Sequence, residues 1–223
     1  MRIGVIGAGR IGGNAARLFA AAGHEVMLSF SRDPDRLRAD ADTIGERAST
    51  GEVADAAAFG EVVVFSVPWR LIDEVLEQAG PLDGKVVIDT TNQYGSEGLE
   101  KLPEGRTAAQ VNQARMRGAR LVKAFNTLTS SFQASAASRQ GERRAVIFMA
   151  GDGQEAKATV AGLIEDAGFA PADVGGLADA SVMEPPRRDG AVYGDEYRPA
   201  DAAEVVGAVR AGRPIPPSPE YDD

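Results

Sequence analysis

The chain has 223 residues, 43% of them hydrophobic, and a formal net charge of −9, which suits one sizeable α/β domain with or without a small appendage. That acidity is not interrupted by a long Lys/Arg run, so a nucleic-acid or anionic-membrane surface is not expected. No segment approaches the roughly 18 consecutive apolar residues of a membrane span, and there is no cysteine for thiolate catalysis, disulfides or thiolate metal sites.

The chain opens on a β-branched run, Ile3-Gly4-Val5-Ile6, that leads into Gly7-Ala8-Gly9-Arg10-Ile11-Gly12. Ala15, Ala16, Leu18, Phe19 and Ala20 then give a helical pattern that ends at Gly23, and Val26 to Phe30 forms a second apolar run. This is a βαβ unit of about 30 residues with G-x-G-x-x-G at its first turn. In a dinucleotide site the first glycine permits the turn, the second lets the backbone approach a pyrophosphate, and the third lets helix and strand pack closely. The helix N-terminus then faces the phosphates. Glycine turns are also common as purely structural features, and the strand and helix on either side raise this one above that reading.

The end of the second strand reads Phe30-Ser31-Arg32-Asp33-Pro34-Asp35-Arg36. An NAD site places an acid here for the ribose hydroxyls, and an NADP site a cation for the 2′-phosphate. Ser31 offers a hydroxyl, Arg32 can fork onto two phosphate oxygens, and Arg36 lies one helical turn further on the same face. NADP is the better fit. Two alternatives remain open at this point: Ser31 caps the next helix with Pro34 in its first turn, or Asp33 serves the ribose of NAD.

Strand and helix patterns keep alternating along the chain. Helices are predicted over Leu37 to Ala48, Val53 to Phe59, about Arg70 to Ala79, about Ala108 to Arg117, and Glu155 to Ala167. Buried strands are predicted at Val62 to Val67, Lys85 to Thr90, Leu121 to Phe125 and Ala145 to Met149. The fold class is therefore a doubly wound, mostly parallel α/β sheet of Rossmann type. His24, the one histidine, falls before the second strand at the N-terminal edge of that sheet, away from where ligands bind, so it reads as a turn residue and a Ser-His-Asp hydrolase, which would have to use it, is not expected.

The cofactor should meet three strand ends: Ser66-Val67-Pro68, Thr90-Thr91-Asn92 and Ala124-Phe125-Asn126-Thr127. Their small hydroxyl and amide groups suit ribose and carboxamide, and none titrates near neutrality. Lys123 sits inside a strand, where a structural pairing outweighs a catalytic role. No metal site is expected. After Gly175-Gly176 the chain turns acidic and proline-rich. The expected division is a dinucleotide-binding domain over 1–176 and a C-terminal extension over 177–223, an arm or partly disordered segment.

Taken in order, Arg2 to Gly12, Ser31-Arg32, Ser66-Val67-Pro68-Trp69, Val87-Ile88-Asp89-Thr90-Thr91-Asn92 and Val122 to Thr127 resemble the NADP oxidoreductases typified by NADPH-dependent deazaflavin coenzyme reductases. The oxidoreductase domain of the STEAP metalloreductases is of the same group. The resemblance spans about residues 1 to 176 and implies direct hydride exchange between NADPH and a flat flavin or deazaflavin acceptor, with the protein supplying alignment. It implies that Gly7, Ala8, Gly9, Arg10 and Ile11 hold the pyrophosphate, Ser31, Arg32 and Arg36 the 2′-phosphate, and Ser66, Val67, Pro68, Ala124, Phe125 and Asn126 the ribose and nicotinamide side. Beyond residue 176 the chain departs from the family, which leaves the acceptor open. Two other readings stand beside it: a nucleotide-binding sensor or scaffold without turnover, and a reductase of a small carbonyl or imine using a proton donor such as Lys123, Tyr94 or Tyr193. A cytoplasmic homodimer is expected, with the 184–199 segment reaching toward its partner.

Overall fold

The computed structural model describes residues 1–31 and 33–221. The opening unit is β1 (Arg2–Ile6), α1 (Arg10–Ala21) and β2 (Glu25–Ser29). It is followed by α2 (Pro34–Ile44), β3 (Ala48–Thr50), α3 (Val53–Phe59), β4 (Val62–Phe65), α4 (Ile72–Ala79) and β5 (Val86–Asp89). A small hairpin of β6 (Tyr94–Gly95) and β7 (Gly98–Leu99) precedes α5 (Ala108–Arg115) and β8 (Arg120–Ala124). The remainder is α6 (Ser130–Ala136), β9 (Val146–Gly151), α7 (Gln154–Asp166), β10 (Ala170–Gly175) and α8 (Pro199–Arg210).

Eight strands form one sheet in the order β10-β9-β8-β5-β4-β1-β2-β3. All neighbouring pairs from β8 to β3 are parallel; β9 runs antiparallel to β8, and β10 runs parallel to β9. Because successive side chains alternate between faces, the central strands each feed two cores. Val63, Phe65, Val87 and Leu121 join Trp69, Phe148 and Tyr197 on one side, while Val62, Val64, Ile88 and Val122 join Phe19, Leu163 and Phe169 on the other. Helices cover both faces, which is why the central strands read as continuous apolar runs. Among the described residues no helix is long and apolar enough to cross a membrane.

Besides the small hairpin, two strands of the main sheet lie where the sequence suggested none. The helix expected to reach Ala48 instead starts at Pro34 and stops at Gly45, whose φ of +98° ends it, and Ala48 to Thr50 pairs with β2 as the sheet edge. At the opposite edge, Pro171 lies inside β10, a position open to proline because an edge strand need not donate from every amide. α6 was equally silent in the sequence. Its polar Ser-Ser-Phe-Gln start becomes a helix because the Thr129 hydroxyl accepts from the Phe132 amide and Gln133 and Ala136 are buried.

The texture change at Gly175-Gly176 is not a break in packing. Met183, Val192, Tyr197, Ala202 and Val205 join the same core as β4 and β5, with the Tyr197 ring edge-on to Phe148 at 5.4 Å. The segment read as an arm lies against its own sheet. Tyr197 accepts at its carbonyl from the Val146 amide, and α8 packs on β10.

Glu184 shows what this return achieves. α5 has no acid in its own first turn, and the buried Glu184 carboxylate supplies one from 76 residues away, accepting from the Ala108 amide at 2.8 Å and the Ala109 amide at 2.9 Å. Thr107 completes the cap and donates its hydroxyl to the Leu177 carbonyl at 2.7 Å. Glu184→Gln should therefore cost about 2 kcal/mol, since an amide N–H₂ would face a backbone donor. For a chain of this size that lowers Tm by about 4–8 °C in thermal unfolding followed by circular dichroism.

Candidate cofactor cleft

The chain runs outward from β1 to β2 and β3, then returns to the other side of β1 to lay down β4, β5 and β8. The crevice at the carboxyl ends of β1 and β4 is thus the topological switch point, where open α/β sheets bind their ligands. A cleft of ≈ 390 Å³ opens there, lined by Gly7, Ala8, Gly9, Phe30, Ser31, Asp33, Arg36, Ser66, Pro68, Arg70 and Leu71.

The three motif glycines serve different ends. Gly7 has φ of +102°, and a Cβ on it would lie 2.3 Å from the Ser66 carbonyl oxygen. A Cβ on Gly12 would lie 2.1 Å from the Gly7 carbonyl oxygen, so α1 can sit on the turn only without a side chain there. Gly9 is unlike both. Its φ of −79° and ψ of −158° are open to any residue, and a Cβ would meet nothing within 4 Å. The fold makes no demand for glycine at that position; a ligand lying against the turn would. The amides of Gly7 and Ala8 are spent on the Ser29 carbonyl at 3.0 and 3.2 Å. α1 begins at Arg10 with no side-chain cap, so its first-turn N–H groups point out beside Gly9. An uncapped N-terminus beside an open glycine cradle fits a pyrophosphate.

At the end of β2 the ambiguity over Asp33 is resolved by its partners. Its carboxylate accepts from the amides of Asp35 and Arg36, both at 3.1 Å, so Asp33 is the N-cap of α2 and Pro34 occupies the first helical position. Ser31 accepts from the Asp33 amide at 3.2 Å instead of capping the helix itself. With the acid committed to the backbone, Arg36 and Arg70 supply the positive charge of the cleft wall. Arg32 lies outside the described residues.

Seven of the residues expected from the sequence line this cleft: Gly7, Ala8, Gly9, Ser31, Arg36, Ser66 and Pro68. Arg10 and Ile11 flank it at the start of α1. Val67 is buried behind the glycine turn, and the side chains of Ala124 and Phe125 are turned into the core. Phe125 stacks edge-on to Phe19 and Phe169, so only backbone is left there to meet a ligand. Asn92 and Asn126 join across the ends of β5 and β8. Asn92 Nδ2 donates to the Asn126 carbonyl at 3.0 Å, and Asn126 Nδ2 donates to Asn92 Oδ1 at 3.1 Å and to the Met183 carbonyl at 2.7 Å.

Sequence reasoning did not pick out Phe30, Arg70 and Leu71. Arg70 carried a usable signal: an exposed cation two residues past Pro68, on the turn that leaves β4. Phe30 carried none, because its role depends on a φ of +54° that lets an aromatic residue turn the corner after β2.

Beneath this edge lies a closed polar cluster. Lys123 and Asp89 are both fully buried, with Nζ 3.1 Å from Asp89 Oδ2 and 2.7 Å from the Thr91 carbonyl. Asn112 Nδ2 donates to Asp89 Oδ2 and to Thr91 Oγ1, and the Thr91 amide donates to Asp89 Oδ1. Lys123 therefore ties β5 to β8 and is inaccessible to substrate. His24 is remote, at the other edge, with Nε2 3.0 Å from Asp166. A larger cavity of ≈ 620 Å³ lies between residues 187–191 and 215–218. Its arginines are engaged with the protein itself, Arg187 with Asp195 and Arg188 with the carbonyls of Ser181, Glu184 and Pro186. The cleft at the switch point is the better candidate.

The strand order, the glycine turn and the position of the cleft define an α/β fold of Rossmann type, with an opening where such folds bind dinucleotides. Residues 2–93 match the family described as NADP oxidoreductase, coenzyme F420-dependent. It is 29% identical over 186 residues to the metalloreductase STEAP3 of Rattus norvegicus, a match covering 82% of this chain and 36% of that protein. The chain thus spans about a third of the length of that relative. Among solved structures, a hypothetical protein from Sinorhizobium meliloti is 29% identical with a TM-score of 0.77, covering 89% of this chain and 95% of its own. A protein from Arthrobacter sp. FB24 described as an F420-dependent NADP reductase is 27% identical with a TM-score of 0.68, covering 81% of this chain and 87% of its own. A reductive aminase from Aspergillus terreus is 20% identical with a TM-score of 0.57, a likeness of fold, covering 79% of this chain and 55% of its own.

Proposed function

We propose that this chain binds NADPH in the switch-point cleft and aligns it for hydride exchange with a flat, conjugated acceptor of the flavin or deazaflavin type. The observation that carries this reading is Gly9, a glycine with no conformational or packing need to be one, set beside an uncapped helix start. When bound, the dihydronicotinamide supplies the hydride. The chain's own residues hold and orient it. Gly9 with the first-turn amides of Arg10 and Ile11 would receive the pyrophosphate, and Ser31, Arg32 and Arg36 the 2′-phosphate. Ser66, Pro68, Asn92 and the backbone from Ala124 to Asn126 would border the ribose and nicotinamide.

Stopped-flow oxidation of bound NADPH against a panel of flavin, deazaflavin and carbonyl or imine acceptors tests the proposal. Oxidation by the flat heterocycles and not by the small carbonyls is expected. Tight NADPH binding with no oxidation by any acceptor would favour a sensor or scaffold instead. Cofactor choice has its own test. Replacing Arg36 or Arg32 by Ala removes a charge-assisted contact of about 1.5–3 kcal/mol, so each should weaken NADPH roughly ten- to a hundredfold and leave NADH nearly unchanged in titration calorimetry. Equal losses for both nucleotides would sink the assignment of these arginines. We further propose a homodimer, which sedimentation velocity would distinguish from a monomer.

A further inference from the structure

We propose that Tyr94 and Tyr193 form the hydrogen-bond-donating wall of the acceptor site, with Tyr94 meeting the acceptor and Tyr193 positioning Tyr94. The inference rests on the reading of the cleft as an NADPH site. The two hydroxyls are 3.2 Å apart although 99 positions separate the residues. Each tyrosine lies at a bond that anchors it to the strand ends. The Tyr94 amide donates to the Asn92 carbonyl at 2.7 Å, and the next amide after Tyr193, that of Gly194, donates to the Thr127 carbonyl at 2.9 Å. Asn92, the first anchor, and Asn126, next to the second, are hydrogen-bonded to each other in both directions. On its other side β6 packs on the turn from Trp69 to Leu71, which carries Arg70 and Leu71 into the cofactor cleft. The pair therefore stands between the cleft wall and the proposed nicotinamide side.

Its chemistry suits that place. Two hydroxyls hold two hydrogens and use one between them, so one O–H is always left for a third partner. Tyr193 is the half-buried member; burial first, and then its bond to Tyr94, push its phenol well above the usual tyrosine range, so it remains protonated. Either hydroxyl can donate to the other, and when Tyr193 donates, the Tyr94 hydrogen is left for the acceptor. Tyr94 is 46% exposed and so is the member of the pair open to a ligand. An acceptor that takes a hydride at a ring carbon moves an electron pair onto a ring nitrogen or carbonyl oxygen, and that atom needs a donor and then a proton. The overall balance is NADPH, acceptor and one proton giving NADP⁺ and the dihydro acceptor. The hydride carries both electrons, and the proton passes from water through the Tyr94 hydroxyl. The other obvious candidates are committed elsewhere: Lys123 is locked to Asp89, and His24 lies at the far edge.

The test uses the full chain with Tyr94→Phe and Tyr193→Phe, riboflavin as the acceptor probe, and three readouts. These are the NADPH dissociation constant, the riboflavin dissociation constant of the NADP⁺-loaded protein from quenching of flavin fluorescence, and the solvent isotope effect on riboflavin-dependent NADPH oxidation. Tyr94→Phe should weaken riboflavin by about tenfold, the loss of one hydrogen bond, and remove the isotope effect. Tyr193→Phe should weaken riboflavin less and keep the isotope effect, and both variants should bind NADPH within about twofold of the parent. Riboflavin affinity and isotope effect unchanged in Tyr94→Phe would overturn the proposal. So would equal effects of the two variants accompanied by equal losses of thermal stability, which would mark the pair as a tether for the 184–199 segment. A parent protein that binds no NADPH would instead refute the cleft assignment on which the proposal stands.

Discussion

Gly9→Val should reduce NADPH affinity by more than a hundredfold while leaving the thermal transition within a few degrees of the parent, and Gly12→Val should do the reverse first, unfolding the domain. The contrast follows from what each Cβ meets. At Gly9 the backbone is extended and the space beyond is empty to 4 Å, so a branched side chain costs the apo fold little. It would occupy the volume where the backbone must approach the phosphates, and loss of several charge-assisted amide contacts at about 1.5–3 kcal/mol each accounts for the drop. At Gly12 the added carbon would lie 2.1 Å from the Gly7 carbonyl oxygen and 3.0 Å from Ser66 Cβ. Neither partner can retreat, since Gly7 is held through its amide by Ser29. Overpacking of that kind costs about 3 kcal/mol or more, or at least about 6–12 °C in Tm. Calorimetric titration with NADPH on folded Gly9→Val decides the first half. Retained affinity there would make this a turn with no ligand, whatever the rest of the cleft looks like.

How far the sequence foretold this site depends on which interactions are local. The glycine turn, the buried strands and the cations after β2 are recorded within a few residues of one another, so periodicity and turn chemistry reveal them. The caps that decide the details are recorded elsewhere. Asp33 was ambiguous until its bonds to the amides of Asp35 and Arg36 placed it as a helix cap. Glu184 looked like part of an acidic tail, yet it caps a helix 75 residues upstream. The same holds for the edges of the sheet. β3 has three residues and β10 contains a proline, and neither run is distinctive without the neighbour that pairs with it. Nor does composition encode strained backbone. Phe30 and Phe125 sit at φ of +54° and +60° just past β2 and β8, two of the strand ends that face the proposed cofactor. Held conformations of this kind collect at functional sites and require the surrounding fold to fix them. For Phe125 the fixing agents are visible: its ring is clamped by Phe19 and Phe169, and its carbonyl accepts from Gln133 Nε2 at 3.2 Å.

Lys123→Met should be among the most destabilising single substitutions in the chain, and its effect should fall on stability ahead of catalysis. Lys123 and Asp89 have no solvent exposure, and their contact at 3.1 Å is the cross-strand tie between β8 and β5 directly beneath the site. Removing one member of a buried pair leaves the other charge uncompensated, at a cost of about 3–5 kcal/mol. That corresponds to a Tm lower by about 6–20 °C. Asn112 and the Thr91 amide would still donate to the Asp89 carboxylate, which places the expected value toward the lower end of that range. A second variant separates the charge effect from lost packing. In the double substitution Asp89→Asn with Lys123→Met no charge remains buried, so most of the lost stability should return, since a neutral replacement of a buried pair is often close to neutral in energy. If Lys123 were the proton donor of the reaction, the pattern would differ: Lys123→Met would keep the parental Tm and lose turnover, and the double variant would recover nothing. Thermal melts of the three proteins beside stopped-flow NADPH oxidation tell the two apart. An unchanged Tm in Lys123→Met would show that the tie between the strands is not what holds this edge of the sheet.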